Sequence, residues 1–162
     1  MRKCAQSFAL FILLGSLTPT AGSQDKPQPC PSPEEVKDPK FVPGQVWKYK
    51  NRSHEDASTL TILKVESLPT TGTIVHIRID KVRLENCAGG PDANFFAHVP
   101  IAREALERSV TTSVKQKKEG KVPDFHEAYA EWRKQCADVY RITVAEAVQE
   151  AEESFRKDLG CK

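Results

Sequence analysis

Four histidines, His54, His76, His98 and His126, are the side chains best suited to move a proton near neutral pH or to hold a metal. None stands at the spacing of a helical HExxH pair or a compact HxH motif, so no metal site is read from them. His54-Glu55-Asp56 sets an imidazole beside two carboxylates, yet three adjacent polar residues between apolar runs read as a solvated hairpin loop. His76 lies on the polar face of the segment 73–79 and meets His98 if the segments carrying them pair in a sheet. These two form the candidate polar site. No G-x-S-x-G elbow and no phosphate-binding glycine loop is present, so no catalytic or cofactor-binding residue is assigned and no cofactor is expected. Asn51-Arg52-Ser53 is a glycosylation sequon, relevant only in a eukaryotic secretory pathway.

The cysteines carry the second chemistry. Arg2 and Lys3, an apolar run from Phe8 to Gly15, and the small residues Ala21-Gly22-Ser23 have the order of a secretory signal peptide, cleaved before Gln24. The apolar run is far shorter than the roughly 20 residues that cross a bilayer, so no membrane insertion is expected after cleavage. Cys30, Cys87, Cys136 and Cys161 then mature in an oxidising compartment, secreted or periplasmic, where an even count points to two disulfides. No two of them are close enough for a CxxC zinc knuckle. If the last two helices run antiparallel, Cys136 and Cys161 are roughly 15 Å apart at about 1.5 Å per residue, beyond the ~7 Å a disulfide spans. Two connectivities remain: 30–161 with 87–136, or 30–136 with 87–161.

Loss of Arg2 and Lys3 from 24 basic residues brings the chain level with its 22 acidic ones, so charge steers it to neither nucleic acid nor anionic membrane. The cluster Lys115, Lys117, Lys118 and Lys121 reads as a solvated loop.

The elements that must position these residues follow from patterning. Six prolines between Gln24 and Pro43, among charged residues, make residues 24–40 an extended arm with Cys30 as its anchor: either wholly disordered or pinned across the domain by a disulfide. Residues 41–162 form a single domain. Period-two alternation marks strands over 45–50, 58–65 and 73–79, with Trp47 and Tyr49 on a face the core needs. The apolar phase then moves from Ile79 to Val82 and Leu84, which calls for a bulge near Asp80-Lys81. A loop over 86–93 carries Cys87, and 94–99 adds a short strand. Pro100 at a first helical position, with Ile101, Ala105, Leu106 and Val110, predicts a helix to about Val114. Asp124 with Glu127 caps a second helix whose Phe125, Tyr129, Trp132 and Cys136 share one stripe. Thr143 with Glu146 caps a third, stopped by Gly160, so a helical hairpin ends the chain. The reading is α+β: an antiparallel meander of three to five strands packed on its apolar face by two or three C-terminal helices.

With its segments Gly44-Gln45-Val46-Trp47-Lys48-Tyr49, the run 58–66, the run 72–77, and His98-Val99-Pro100 followed by 105–110, the chain resembles a set of small bacterial exported proteins of unknown function. The resemblance spans most of 41–150 and implies a single bacterial exported domain; it lends no activity. The expected function is a non-catalytic binding or interaction module, with an unidentified protein or envelope component as partner. The alternative is a small hydrolase or metal-dependent enzyme using His76 and His98.

Overall fold

The computed structural model describes residues 30–114, 120–136 and 138–161. The leader, residues 24–29 of the arm and most of the lysine cluster lie outside the described residues.

Three long strands form the bulk of the sheet. β3 (Thr59–Leu68), β4 (Gly72–Leu84) and β5 (Ala93–Ala102) follow one another as an antiparallel meander. β2 (Val46–Tyr49) pairs with β3 through Val46–Thr61 and Trp47–Leu60, and β6 (Val110–Val114) continues the sheet beyond β2, giving the order β5-β4-β3-β2-β6. A two-residue strand, β1 (Glu34–Glu35), pairs with Glu66 and Ser67 at the other end of β3. The arm is therefore ordered from Cys30: it is fastened to Cys136, it donates from Val36 N–H to Val65 O at 3.1 Å, and Asp38 accepts from the N–H groups of Lys40 and Phe41. Among the described residues six strands and three helices make an α+β fold, with more strands than the three to five expected.

One helix is much shorter than its pattern suggests. α1 covers only Arg103–Ser109; Pro100, expected at its start, lies inside β5, and 110–114, expected at its end, are β6. Both departures have physical causes. Pro100 is tolerated because β5 is the edge of the sheet, where a missing N–H breaks no ladder. Tyr140 then covers that edge, donating to Pro100 O at 3.0 Å and accepting from Ala102 N–H at 2.8 Å. The β-branched run Val110-Thr111-Thr112 finds an open partner in β2, and that pairing overrides a weak helical stripe.

The helices do not form a hairpin. α2 (His126–Lys134) and α3 (Val144–Asp158) lie on opposite faces of the sheet, which corrects the expectation that all helices share its apolar face. Leu60, Ile62, Val65, Val75, Ile77, Ile79 and Ile101 point to the face covered by α1 and by Val144 and Val148 of α3. Ile74 and Leu68 point the other way, under Trp132 of α2. α3 begins with the expected capping box: the Thr143 hydroxyl accepts from Glu146 N–H, and Thr143 N–H donates to the Glu146 carboxylate at 2.8 Å. It stops at Gly160, whose φ of +71° lets Cys161 N–H reach back to Arg156 O. α2 begins differently. Its first flanking residue is Phe125, without a side-chain cap, while the Asp124 carboxylate accepts from the backbone N–H and ring of His126.

Two bulges decide which side chains face where. Lys81, at φ +59°, carries the slip that returns Val82 and Leu84 to the main core, at the position the phase change indicates. A second slip, between Ile62 and Lys64 of β3, turns Lys64, Glu66 and Leu68 away from the face of Leu60 and Ile62.

Candidate functional site

The slip in β3 creates a polar interior on the face beneath α2. Lys64 stands directly opposite His76 of β4, and His76 pairs with Pro100 of β5, so His98, two residues before Pro100, lies diagonally across the same face. His76 Nδ1 and His98 Nε2 are 2.7 Å apart, and one of the two nitrogens carries the bridging proton. On its other side His76 Nε2 lies 3.4 Å from Glu66 Oε2, with alignment too poor for a hydrogen bond. Glu66 also meets the Lys64 ammonium and accepts from the Tyr129 hydroxyl at 2.7 and 3.0 Å. The result is a continuous polar chain: Lys64, Glu66, His76, His98.

α2 closes this chain from above. Tyr129 and Trp132 present ring edges to His76 at centroid distances of 5.3 and 5.0 Å, and Phe125 stacks on His98 at 5.9 Å. His76 is 0 % exposed and Glu66 1 %, whereas His98 is half-buried. Electrostatics follow from this enclosure. Burial pushes the Glu66 carboxyl up, but its contacts with His76, Lys64 and Tyr129 outweigh burial and hold it at about 2. Burial, reinforced by repulsion from His76, pushes His98 down to about 4 against the attraction of Glu66. The Tyr129 hydroxyl is raised by burial and by its bond to Glu66.

The order carboxylate, imidazole, second imidazole is that of a proton relay. Its middle member has no solvent contact, and its outer member is half-buried and stacked against Phe125, so the chain fastens α2 to the sheet. Among the described residues no group of three or more His, Cys, Asp or Glu side chains is placed to hold a metal. Glu66 and Lys64 escaped the sequence reading. Their signal was the change of apolar phase from Leu60 and Ile62 to Val65, the same kind of slip that marks Lys81.

The other histidines stand apart. His54 takes a left-handed φ of +68° in the β2–β3 loop. Its neighbour Glu55 is not solvated as expected but buried, clasped by Arg52 at 2.6 and 3.0 Å and by the Arg83 N–H at 2.8 Å. Asn51 of the sequon spends its amide on Glu55 O and Ser58 O within the same loop. His126 is exposed beside Asp124. Tyr49 is buried as its strand face requires, its hydroxyl 2.7 Å from that of Ser58, and Trp47 packs at the margin of the core.

The four cysteines form Cys30–Cys136 and Cys87–Cys161, with Cα atoms 5.3 and 5.9 Å apart. The first ties the arm to the end of α2; the second ties the 86–93 loop to the end of α3. This is one of the two connectivities that spacing left open, and both bonds fit an oxidising, extracellular environment. No helix of the described residues is long and apolar enough to cross a membrane.

Two adjoining clefts flank residues 138–142. One, of 220 Å³, lies between the β3–β4 turn, the Cys30–Cys136 bond and the end of α2; the other, of 690 Å³, lies toward Pro100, Tyr140 and Glu150. They share Trp132, Asp138, Val139 and Arg141. Comparison with protein families, with curated proteins and with solved structures finds no match to this chain.

Proposed function

We propose that the chain is an exported binding domain, secreted or periplasmic, that recognises a protein or envelope ligand through the face around α2 and residues 138–142. One observation carries this reading: His76, at the middle of the polar chain, is fully buried under α2 and His98 is stacked against Phe125, while two adjoining clefts open beside that helix. The near balance of charge and the resemblance to small bacterial exported proteins support it, and neither favours nucleic acid or membrane as partner.

A hydrolase or metal enzyme built on His76 and His98 is the competing reading, favoured by the Glu66–His76–His98 order. A photoreactive phenylalanine analogue in place of Val139 sets the two against each other. A binding domain gives one discrete adduct in the native cell, absent when the analogue sits instead at exposed Lys48 on the far part of the sheet. Purified protein should then hold no stoichiometric metal and show background hydrolysis of ester, peptide and phosphate substrates. Bound metal or turnover that disappears in a folded His98→Gln variant would establish the enzyme instead.

A further inference from the structure

The 220 Å³ cleft has a composition that points to one ligand chemistry. Its floor is apolar, made by Leu68, Trp132 and Val139. Two arginines from different elements line it, Arg133 from α2 and Arg141 from the segment before α3. Four other arginines of the fold meet carboxylates, Arg52 with Glu55 and Glu152, Arg78 with Asp80, Arg103 with Asp38 and Glu107, and Arg156 with Glu85, whereas Arg83 and Arg108 do not. Among the described residues Arg133 and Arg141 likewise have no ion-pair partner, and they are the two that line one cleft together. Arg133 is held in place without being neutralised, because one N–H donates to Pro31 O at 2.7 Å and its guanidinium lies 6.0 Å from the Trp132 ring. Its remaining N–H groups are available, and a guanidinium fork is matched to a carboxylate.

We propose that this cleft binds a monocarboxylate carrying a neighbouring N–H donor, the chemistry shared by a free amino acid and a peptide C terminus. Arg133 and Arg141 take the carboxylate, the apolar floor takes the adjoining side chain, and the Thr70 and Thr71 hydroxyls at the rim supply further polar contacts. Asp138 sets the charge limit. Asp138 lines the same cleft and is not paired with either arginine, so its charge repels a dianion such as phosphate and its carboxylate is free to accept from the ligand's N–H. The Cys30–Cys136 bond forms part of the wall and positions Pro31, the carbonyl that steadies Arg133. This inference rests on the binding-domain reading and names the class of ligand.

The experiment is an NMR titration of the oxidised protein with N-acetylalanine, its amide, free alanine, a tripeptide with free or amidated C terminus, and inorganic phosphate. The expected result is saturable shifts at Thr70, Thr71 and the Trp132 indole with the carboxylates, none with the amides, and weaker binding of phosphate. Arg133→Gln and Arg141→Gln should each weaken carboxylate binding about tenfold or more with the amide spectrum otherwise unchanged, since charge-assisted hydrogen bonds are among the strongest single contacts. Asp138→Asn should bring phosphate closer to the carboxylates. Equal binding by the tripeptide and the free amino acid identifies a cleft open to a chain end; preference for the amino acid identifies a closed one. No saturable shift, or amides that bind as well as acids, overturns the proposal. A cross-link from residue 139 together with no carboxylate binding would sink this ligand class while leaving the binding domain intact.

Discussion

His98 Nε2 approaches His76 Nδ1 to 2.7 Å across two strands, although the residues are 22 positions apart in the chain. Two imidazoles at that distance cannot both present a proton to each other, and with burial this makes the folded protein resist protonation of His98. The pairing links acidity to the docking of α2.

Stability should therefore fall in two stages as pH drops. His98 has a folded pKa near 4, depressed below its ordinary value near 6.5, so between those values the unfolded chain binds a proton that the folded protein refuses. Stability is lost as pH falls through that window, by on the order of 2 kcal/mol once the partial exposure of the ring is discounted. Glu66, held at about 2, contributes stability above the ordinary carboxylate pKa and loses it between about 4.5 and 2. Denaturant midpoints measured from pH 8 to 3 should show both limbs, and His98→Gln should flatten only the upper one. A flat profile between pH 6.5 and 4.5 would contradict this.

Tyr129→Phe removes one hydroxyl from a buried carboxylate and should cost about 1.5–3 kcal/mol. Glu66→Gln should cost a comparable amount, and the double variant should cost clearly less than the sum, because both remove the same bond. Urea unfolding of the four proteins measures the coupling; additive losses would mean the bond contributes nothing.

The two disulfides should stabilise to similar extents for different structural reasons. Sequence separations of 106 and 74 residues differ by only about 0.3 kcal/mol in loop-closure entropy, within a total of about 2–5 kcal/mol for each bond. Replacing Cys30 and Cys136 with serine should leave β1 held by its two-residue pairing and a few single hydrogen bonds, so hydrogen exchange at Val36 should rise sharply while the centre of β4 keeps its protection. Replacing Cys87 and Cys161 should loosen the 86–93 loop and the end of α3 and leave Val36 protected.

Gly44 and Gly72 both have positive φ, at +88° and +81°, but only one is crowded. A Cβ on Gly44 would stand 2.3 Å from Gly120 O, whereas one on Gly72 meets nothing within 4 Å. Gly72→Ala should cost about 1–2 kcal/mol for the backbone alone, and Gly44→Ala distinctly more. Thermal melts of the two variants test the order; equal losses would show that the contact relaxes freely.

Local patterning was enough for the parts of this protein that depend on neighbours in the chain. Alternation along 73–79 marks β4, the phase change after Ile79 places the bulge at Lys81, Thr143 with Glu146 starts α3 and Gly160 ends it. The cysteine count and the proline-rich arm likewise indicate a chain braced by two disulfides. Contacts between distant segments decided the rest. Whether Val110–Val114 is helix or strand depends on the open edge of β2, and whether Tyr129 and Trp132 cover the apolar or the polar face depends on where the chain leaves β6. The choice between two disulfide pairings required that α2 and α3 lie on opposite sides of the sheet, a separation no local spacing encodes. The polar chain beneath α2 needs three strands in register and a slip at Leu63, since only that geometry brings Glu66, His76 and His98 onto one face.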